Sequence, residues 1–380
     1  MKPYDAAVIG GGVAGPALAA ELARAGRSVI LFEKEKAAHD KVCGEFISHE
    51  GVRYLHGLGV SLEGLGALPI RHVRLARHAG AVTNELPFEA QSLSRRVLDE
   101  TLLQLASEAG AEIQRGIRVK GLEKDGNAWA VHLEDENPVA AEAIFLATGK
   151  HDLKDWKRTR GQHPECIAFK AYWRLAADQA AELSGHVELI LFPGGYAGLE
   201  EVEGGRANLS LIVRKDAYAA KYGSWDSLLS GMQERCPHLK NRLDGAASLM
   251  DKPLAISSLP FGHVAWESGG VWRLGDQAAA IPSFSGDGIS IALHSARRAA
   301  KSYLRGESPE TYQQSLARQL LAQLHRATII SRMLVSETGQ GLAMTGAGVF
   351  PFVLPVSAGL TRIPARALSE LGRGGAGACT

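Results

Sequence analysis

The sequence predicts an α/β chain: a mostly parallel sheet with helices, a separate antiparallel layer, and a helical C-terminal segment. Three observations carry this. Residues 4–10, YDAAVIG, and 28–33, SVILFE, are apolar strand-length runs on either side of an Ala- and Leu-rich helix at 14–26. That is a βαβ unit, and such a unit implies a parallel sheet. Residues 166–175, 187–192, 196–203 and 206–213 instead read as successive strands with Gly204-Gly205 as a turn, which predicts antiparallel pairing. From residue 271 the chain returns to parallel-sheet style with VWRLGD, followed by long helices at about 288–304 and 309–335.

The remaining elements follow in order. Residues 96–110, RVLDETLLQLASEAG, give an amphipathic helix ending at Gly110. Residues 117–134 read as a hairpin turning at Asp125-Gly126-Asn127, and 143–148, AIFLAT, as a further strand ending at Gly149. Residues 71–89 are expected in the antiparallel layer, which makes both domains discontinuous. The expected first domain is 1–70, 95–165 and 263–308. The second is 71–94 and 166–262, and 309–380 is the helical segment.

Composition narrows the function. The chain has 380 residues, 46% hydrophobic and 22% charged, which suits one large domain or two medium ones. A net charge of +1 without a long Lys/Arg run argues against nucleic acid as a partner. The cysteines, Cys43, Cys166, Cys236 and Cys379, show no CxxC spacing, and the histidines no H-x-x-x-H pair, so no metal site is expected. Scattered cysteines fit a reducing cytoplasm, and an apolar strand directly after Pro3 leaves no room for a signal peptide. The expected location is cytoplasmic.

The strongest local signal is Gly10, Gly12 and Gly15, a G-x-G-x-x-G after a strand and at the opening of a helix, with Glu33 ending the next strand. Gly10 permits the tight turn, Gly12 admits a pyrophosphate, and Gly15 lets helix and strand approach. The helix start at Ala14 favours negative phosphate, and Glu33 suits ribose hydroxyls, with Lys34 beside it. A dinucleotide site is the expectation.

A second segment selects the nucleotide. Gly275-Asp276, then Pro282, Gly286 and Gly288 ahead of Ile289, resembles the second FAD signature of the para-hydroxybenzoate hydroxylase-fold flavoproteins. Ser94 to Asp99 resembles that family's R-x-x-x-D helix start, with Arg95 facing the cofactor and Arg96 on the solvated face. Ala147-Thr148-Gly149 resembles the strand end near the cofactor. Within that fold, residues 282–300 and Cys43-Gly44-Glu45 look most like the geranylgeranyl reductase and flavin-dependent halogenase branch. The resemblance implies a Rossmann-type FAD-binding domain, an antiparallel substrate domain, FAD as cofactor, and Cys43-Gly44 near the flavin ring. NADPH or NADH is then the electron donor, directly or through a separate flavin reductase.

The chain also departs from these families. The segment Ala147 to Lys154 lacks the A-D-G of the hydroxylases, and Tyr196 to Glu201 lacks the Trp and Pro of both other branches. No lysine stands out as that of a halogenase. Hydroxylation of an apolar aromatic or polyketide-type molecule through a flavin C4a-hydroperoxide is the preferred expectation. Reduction of a carbon–carbon double bond in an isoprenoid-like substrate, halogenation, and a non-catalytic FAD-containing binding protein are the alternatives. Cys43 and Glu45 are the candidate proton donors or gates, against a tight packing loop. Trp173, Tyr196 and Ser210 are candidate substrate contacts, with core packing favoured for Trp173. His49, His151 and His294 are expected on the surface or behind the site, and Asp287 is expected to cap a helix.

Residues 338–361 contain no charged residue. The length suits a membrane span, but five glycines with Pro351 and Pro355 oppose one. The stretch either packs on the core or covers the substrate and touches lipid as a peripheral contact.

Overall fold

The structure, a computed structural model, describes residues 3–368 apart from 160, 162, 164, 258 and 365. Cys379 lies outside the described residues; Cys43, Cys166 and Cys236 are free thiols. The chain opens with β1 (Tyr4–Ile9), α1 (Ala14–Arg24) and β2 (Val29–Glu33). β2 is buried throughout, as a parallel strand covered on both faces must be. A short β3 (Phe46–Ile47) and α2 (His49–Leu58) follow, and then β4 (Leu68–Arg77) and β5 (Gly80–Ser92). The next helix, α3 (Arg95–Glu108), is capped by Ser94, whose hydroxyl accepts the Val97 N–H.

β6 (Glu112–Arg115), β7 (Val119–Asp125), β8 (Ala128–Leu133) and β9 (Val139–Leu146) complete the first sheet in the order β6-β2-β1-β9-β8-β7. β6, β2, β1 and β9 run parallel, β7 and β8 form the hairpin at Gly126, and a short strand Trp272–Arg273 pairs parallel with β9.

The second sheet adds β10 (Cys166–Arg174), β11 (His186–Phe192), β12 (Gly195–Val202) and β13 (Arg206–Arg214), with spatial order β10-β13-β12-β11-β4-β5-β3. β12 and β13 are joined by a three-residue loop, 203–205, in which Gly204 and Gly205 both take the left-handed φ that glycine permits. One expectation is corrected: the sheet is not purely antiparallel, because β11 runs parallel to β4. Some hundred residues separate these strands, so no hairpin imposes opposite directions on them.

Four helices close the molecule: α4 (Gly288–Leu304) against α1 and α2, then α5 (Pro309–Leu334), α6 (Glu337–Val349) and α7 (Val353–Leu360). α6 ends where Phe350, preceding Pro351, is pushed into an extended conformation. Among the described residues no single helix is long and apolar enough to cross a membrane; α6 and α7 qualify only as a pair, bent by 118°. The inner side of this hairpin packs on the second sheet, and its outer side is exposed.

Candidate active site

A cavity of about 320 Å³ runs from the glycine-rich loop, across the inner face of the second sheet, to the α6–α7 hairpin. At one end the backbone fits a dinucleotide closely. Gly10 has φ +114°, and a Cβ there would lie 2.4 Å from the Ala147 carbonyl oxygen. A Cβ at Gly15 would lie 2.0 Å from the Gly10 oxygen. Helix α1 begins with no side-chain cap, which leaves its first N–H groups for an anion. Glu33 accepts the Gly11 N–H at 2.7 Å and the Glu35 N–H at 2.9 Å, which fixes its carboxylate beside the loop. Lys34 is exposed, pairs with Glu35 at 3.7 Å and stands outside the cavity wall.

Cations overlie the loop. Arg95 Nη2 and Lys41 Nζ stand 3.3 and 3.8 Å from where a Gly12 Cβ would be. Both are held by Asp99: Arg95 through two bonds of 2.8 Å, and Lys41 through one of 2.8 Å. The Arg95 and Lys41 charges opposing Asp99 hold its carboxyl below the usual range although burial pushes the other way. Arg96 is half exposed and pairs with Asp40 at 3.5 Å.

The second signature forms the opposite wall. Gly275 adopts φ +54° and donates its N–H to Ser295. Asp276, Gly286, Gly288 and Ile289 line the cavity, and a Cβ at Gly288 or Gly44 would meet no atom within 4 Å. These open glycine positions, the uncapped helix and the paired cations form a cradle that FAD fits. Ala147-Thr148-Gly149 lies below it, with Thr148 Oγ1 donating to His151 O and Gly149 O accepting from Gln277. The expected cap at Asp287 is corrected: its side chain makes no cap bond. It pairs instead with Arg362, just past α7, at 2.8 Å and accepts from Ser48 and from Gln323 on α5, and these contacts occupy its carboxylate. Burial pushes it up to about 7, against the pull of Arg362. His294 is fully buried between Tyr54 and Gln319, and burial lowers it to about 4.

Between these walls lies Cys43-Gly44-Glu45. Asn208 Nδ2 donates to the Cys43 and Gly44 carbonyls at 3.1 and 2.9 Å. Glu45 takes a left-handed φ of 65°, unusual for a residue with a side chain, and its carboxyl holds the turn in place. It accepts the Arg95 N–H at 2.7 Å and the Tyr172 hydroxyl at 2.8 Å, and Lys170 Nζ lies 2.5 Å away. Glu45 and Lys170 are both fully buried, and burial pushes the Glu45 carboxyl up against the pull of Lys170. So engaged, Glu45 is an anchor rather than a free acid. Cys43 lines the cavity, and its Sγ accepts the Glu45 N–H at 3.3 Å.

Strand register assembles the floor. Lys170, Ser210 and Gly198 stand in one cross-strand row, and Tyr172, Asn208 and Glu200 in the next. Ser210 and Tyr196 line the cavity; the Tyr196 hydroxyl also meets Ser283 and Ser331 at 3.2 Å. Trp173 takes the core packing favoured for it and is not a substrate contact: one residue past Tyr172, it faces the other side of the sheet and packs on the outer core, because side chains alternate along a strand. The row also holds a residue not singled out from sequence. Glu200 is 3% exposed, lines the cavity, and has one carboxyl oxygen without a hydrogen-bond partner among the described residues. Burial, reinforced by Glu45 and Cys43, raises its pKa well above the ordinary carboxylate value. Burial therefore favours the neutral form of Glu200 over the carboxylate.

The comparisons agree with this geometry. Residues 3–144 match the family of FAD binding domains. A menaquinone reductase of Mycolicibacterium smegmatis is 29% identical over 321 residues, 78% of this chain and 75% of that protein. The squalene epoxidase of Saccharomyces cerevisiae is 30% identical over 169 residues, 42% of this chain and 30% of that one. The crystal structure of the halogenase PltM superposes with a TM-score of 0.78 at 16% identity, covering 98% of this chain and 84% of that one, which is a likeness of fold. The chain is an FAD-dependent oxidoreductase, an enzyme built on the fold that the flavin-dependent halogenases share.

Proposed function

We propose that this enzyme saturates a carbon–carbon double bond in an apolar, isoprenoid-like molecule. The observation that carries the proposal is Glu200, a buried carboxyl with an unpartnered oxygen in the wall of a mostly apolar cavity, where burial favours its protonated form. Saturating an alkene places a hydride on one carbon and a proton on the other. Reduced FAD, when bound, supplies the hydride equivalent. Glu200 gives the proton and regains one from water.

The other residues have matching tasks. Gly10, Gly12, Gly15, Glu33 and Arg95 hold the nucleotide. Asn208 and Glu45 fix the turn at Cys43 beside the cofactor. Leu75, Leu189 and Leu334 keep water from the reacting carbons. NADPH or NADH provides electrons, directly or through a separate flavin reductase. The similarity to a menaquinone reductase over three quarters of both chains supports the reading.

The test uses FAD-loaded enzyme, anaerobic, with a polyprenyl quinone and a reductant. Product about 2 Da heavier after the ring is reoxidised to the quinone supports saturation of the side chain, and in a parallel aerobic run an oxygen-dependent product about 16 Da heavier overturns it in favour of hydroxylation. Halide-dependent mass would likewise overturn it. In Glu200→Gln, turnover is expected to fall by about 10²-fold or more with FAD absorbance unchanged.

A further inference from the structure

We infer that the α6–α7 hairpin is a lipid-facing surface, seated in the interface of a bilayer, through which the apolar substrate reaches the cavity. The inference rests on the proposed apolar substrate and adds where that substrate comes from. The outer side of the hairpin exposes Leu342 (64%), Val349 (62%) and Phe352 (61%), together with Phe350, Val356 and Leu360. No charged residue interrupts 338–361, so this face has nothing to keep it in water. Its inner side is cavity wall, from Ala343 on α6 and from Leu354, Ser357 and Ala358 on α7. One helical layer thus separates an apolar cavity from an apolar outer face.

The hairpin is fixed to the body at its edges. Gln340 Nε2 donates to the carbonyls of Phe192, Gly195 and Leu334. Lys221 pairs with Glu337 at 2.8 Å, and Arg362 pairs with Asp287. The exposed apolar side is therefore a held surface. At the bend, Phe350 and Phe352 place their rings 5.7 Å apart around Pro351. With a 118° bend, neither arm crosses a bilayer, whose apolar core is about 30 Å thick. Such a hairpin suits burial of about 5–10 Å in the interface. A lipid phase both covers this face and holds apolar molecules one helical layer from the cavity.

The test is co-flotation of the FAD-loaded protein with phosphatidylcholine vesicles, alongside its mass in solution. Wild type is expected to float with the vesicles. Leu342→Ser/Phe350→Ser/Phe352→Ser is expected to lose about tenfold or more in partitioning, with FAD absorbance retained. A single Phe352→Lys gives the same direction if the triple variant fails to fold. In both, turnover of a short detergent-soluble isoprenoid is expected to persist while turnover of vesicle-embedded substrate falls. Wild type that stays with the vesicle-free fraction, variants that float as wild type does, or a dimer that the substitutions dissociate would each overturn the inference. Flotation without turnover of either substrate would overturn the proposed reaction and leave the docking standing.

Discussion

The two ends of the cavity are built by different kinds of information. At the nucleotide end, function follows from short-range spacing: Gly10, Gly12 and Gly15 sit within six residues, Gly10 and Gly15 each required by a backbone contact and Gly12 facing the Arg95 and Lys41 side chains. At the substrate end, Lys170, Glu200, Asn208 and Ser210 meet only because three strands pair in one register. A local motif tolerates nothing at its own positions. A register-built site depends on each member's partners, so its failures are graded.

The sharpest break in the comparison is Gly15→Ala. The new Cβ would fall 2.0 Å from the Gly10 oxygen, a backbone atom that cannot step aside. Loss of FAD retention and a destabilisation of about 3 kcal/mol or more are expected, by flavin absorbance and thermal melting. Retained FAD with wild-type stability would show that the loop is not the tight element described.

Next comes the buried Glu45–Lys170 pair. Lys170→Met leaves the Glu45 carboxyl without its counter-charge in a site closed to water. Destabilisation of about 3–5 kcal/mol is expected. Glu45→Gln/Lys170→Met should recover part of it, because neither charge is then buried alone. Denaturant titration of the single and double variants measures the difference, and strict additivity would break the claim that the pair acts as one unit.

How each end was legible follows the same division. The parallel sheet, the glycine loop and Glu33 could be read because period and spacing are local. Ser210 and Tyr196 were legible as polar positions on substrate strands. Glu200 was not, although one signal was present: it shares a strand face with Tyr196 and Gly198, and a carboxyl there needs a reason. What the sequence withheld was the neighbour across the sheet, Asn208, and the proximity of Glu45. Trp173 stayed open between pocket and core because an aromatic in a strand has two faces to choose from, and alternation from Tyr172 decides for the core that was favoured. The parallel pairing of β4 with β11 was hidden because no turn links them.

A pH profile tests the substrate end without altering it. Burial with Glu45 and Cys43 raises the Glu200 pKa, so its protonated form is present below that raised value and is lost as pH rises through it. Turnover should therefore fall on the alkaline side, in a limb that Glu200→Gln abolishes along with most of the rate. A rate that instead rises with pH would place a base, not an acid, at this wall.

The smallest effect is expected at Cys43. Its Sγ accepts one long N–H bond from Glu45, and the turn is held independently by Asn208 and by the Glu45 carboxyl. Cys43→Ala removes one sulfur from a turn with three other anchors. FAD binding should persist and turnover stay within about twofold, since a long sulfur bond contributes well under the ~1 kcal/mol of an ordinary one. Cys43 and Glu200 both border the cavity, so the two substitutions divide one question. A loss of about tenfold or more in Cys43→Ala, with the alkaline limb moved and Glu200→Gln nearly silent, would transfer the proton to the thiol. The contrast would then weaken, because the donor would sit in the local loop rather than on the register-built floor.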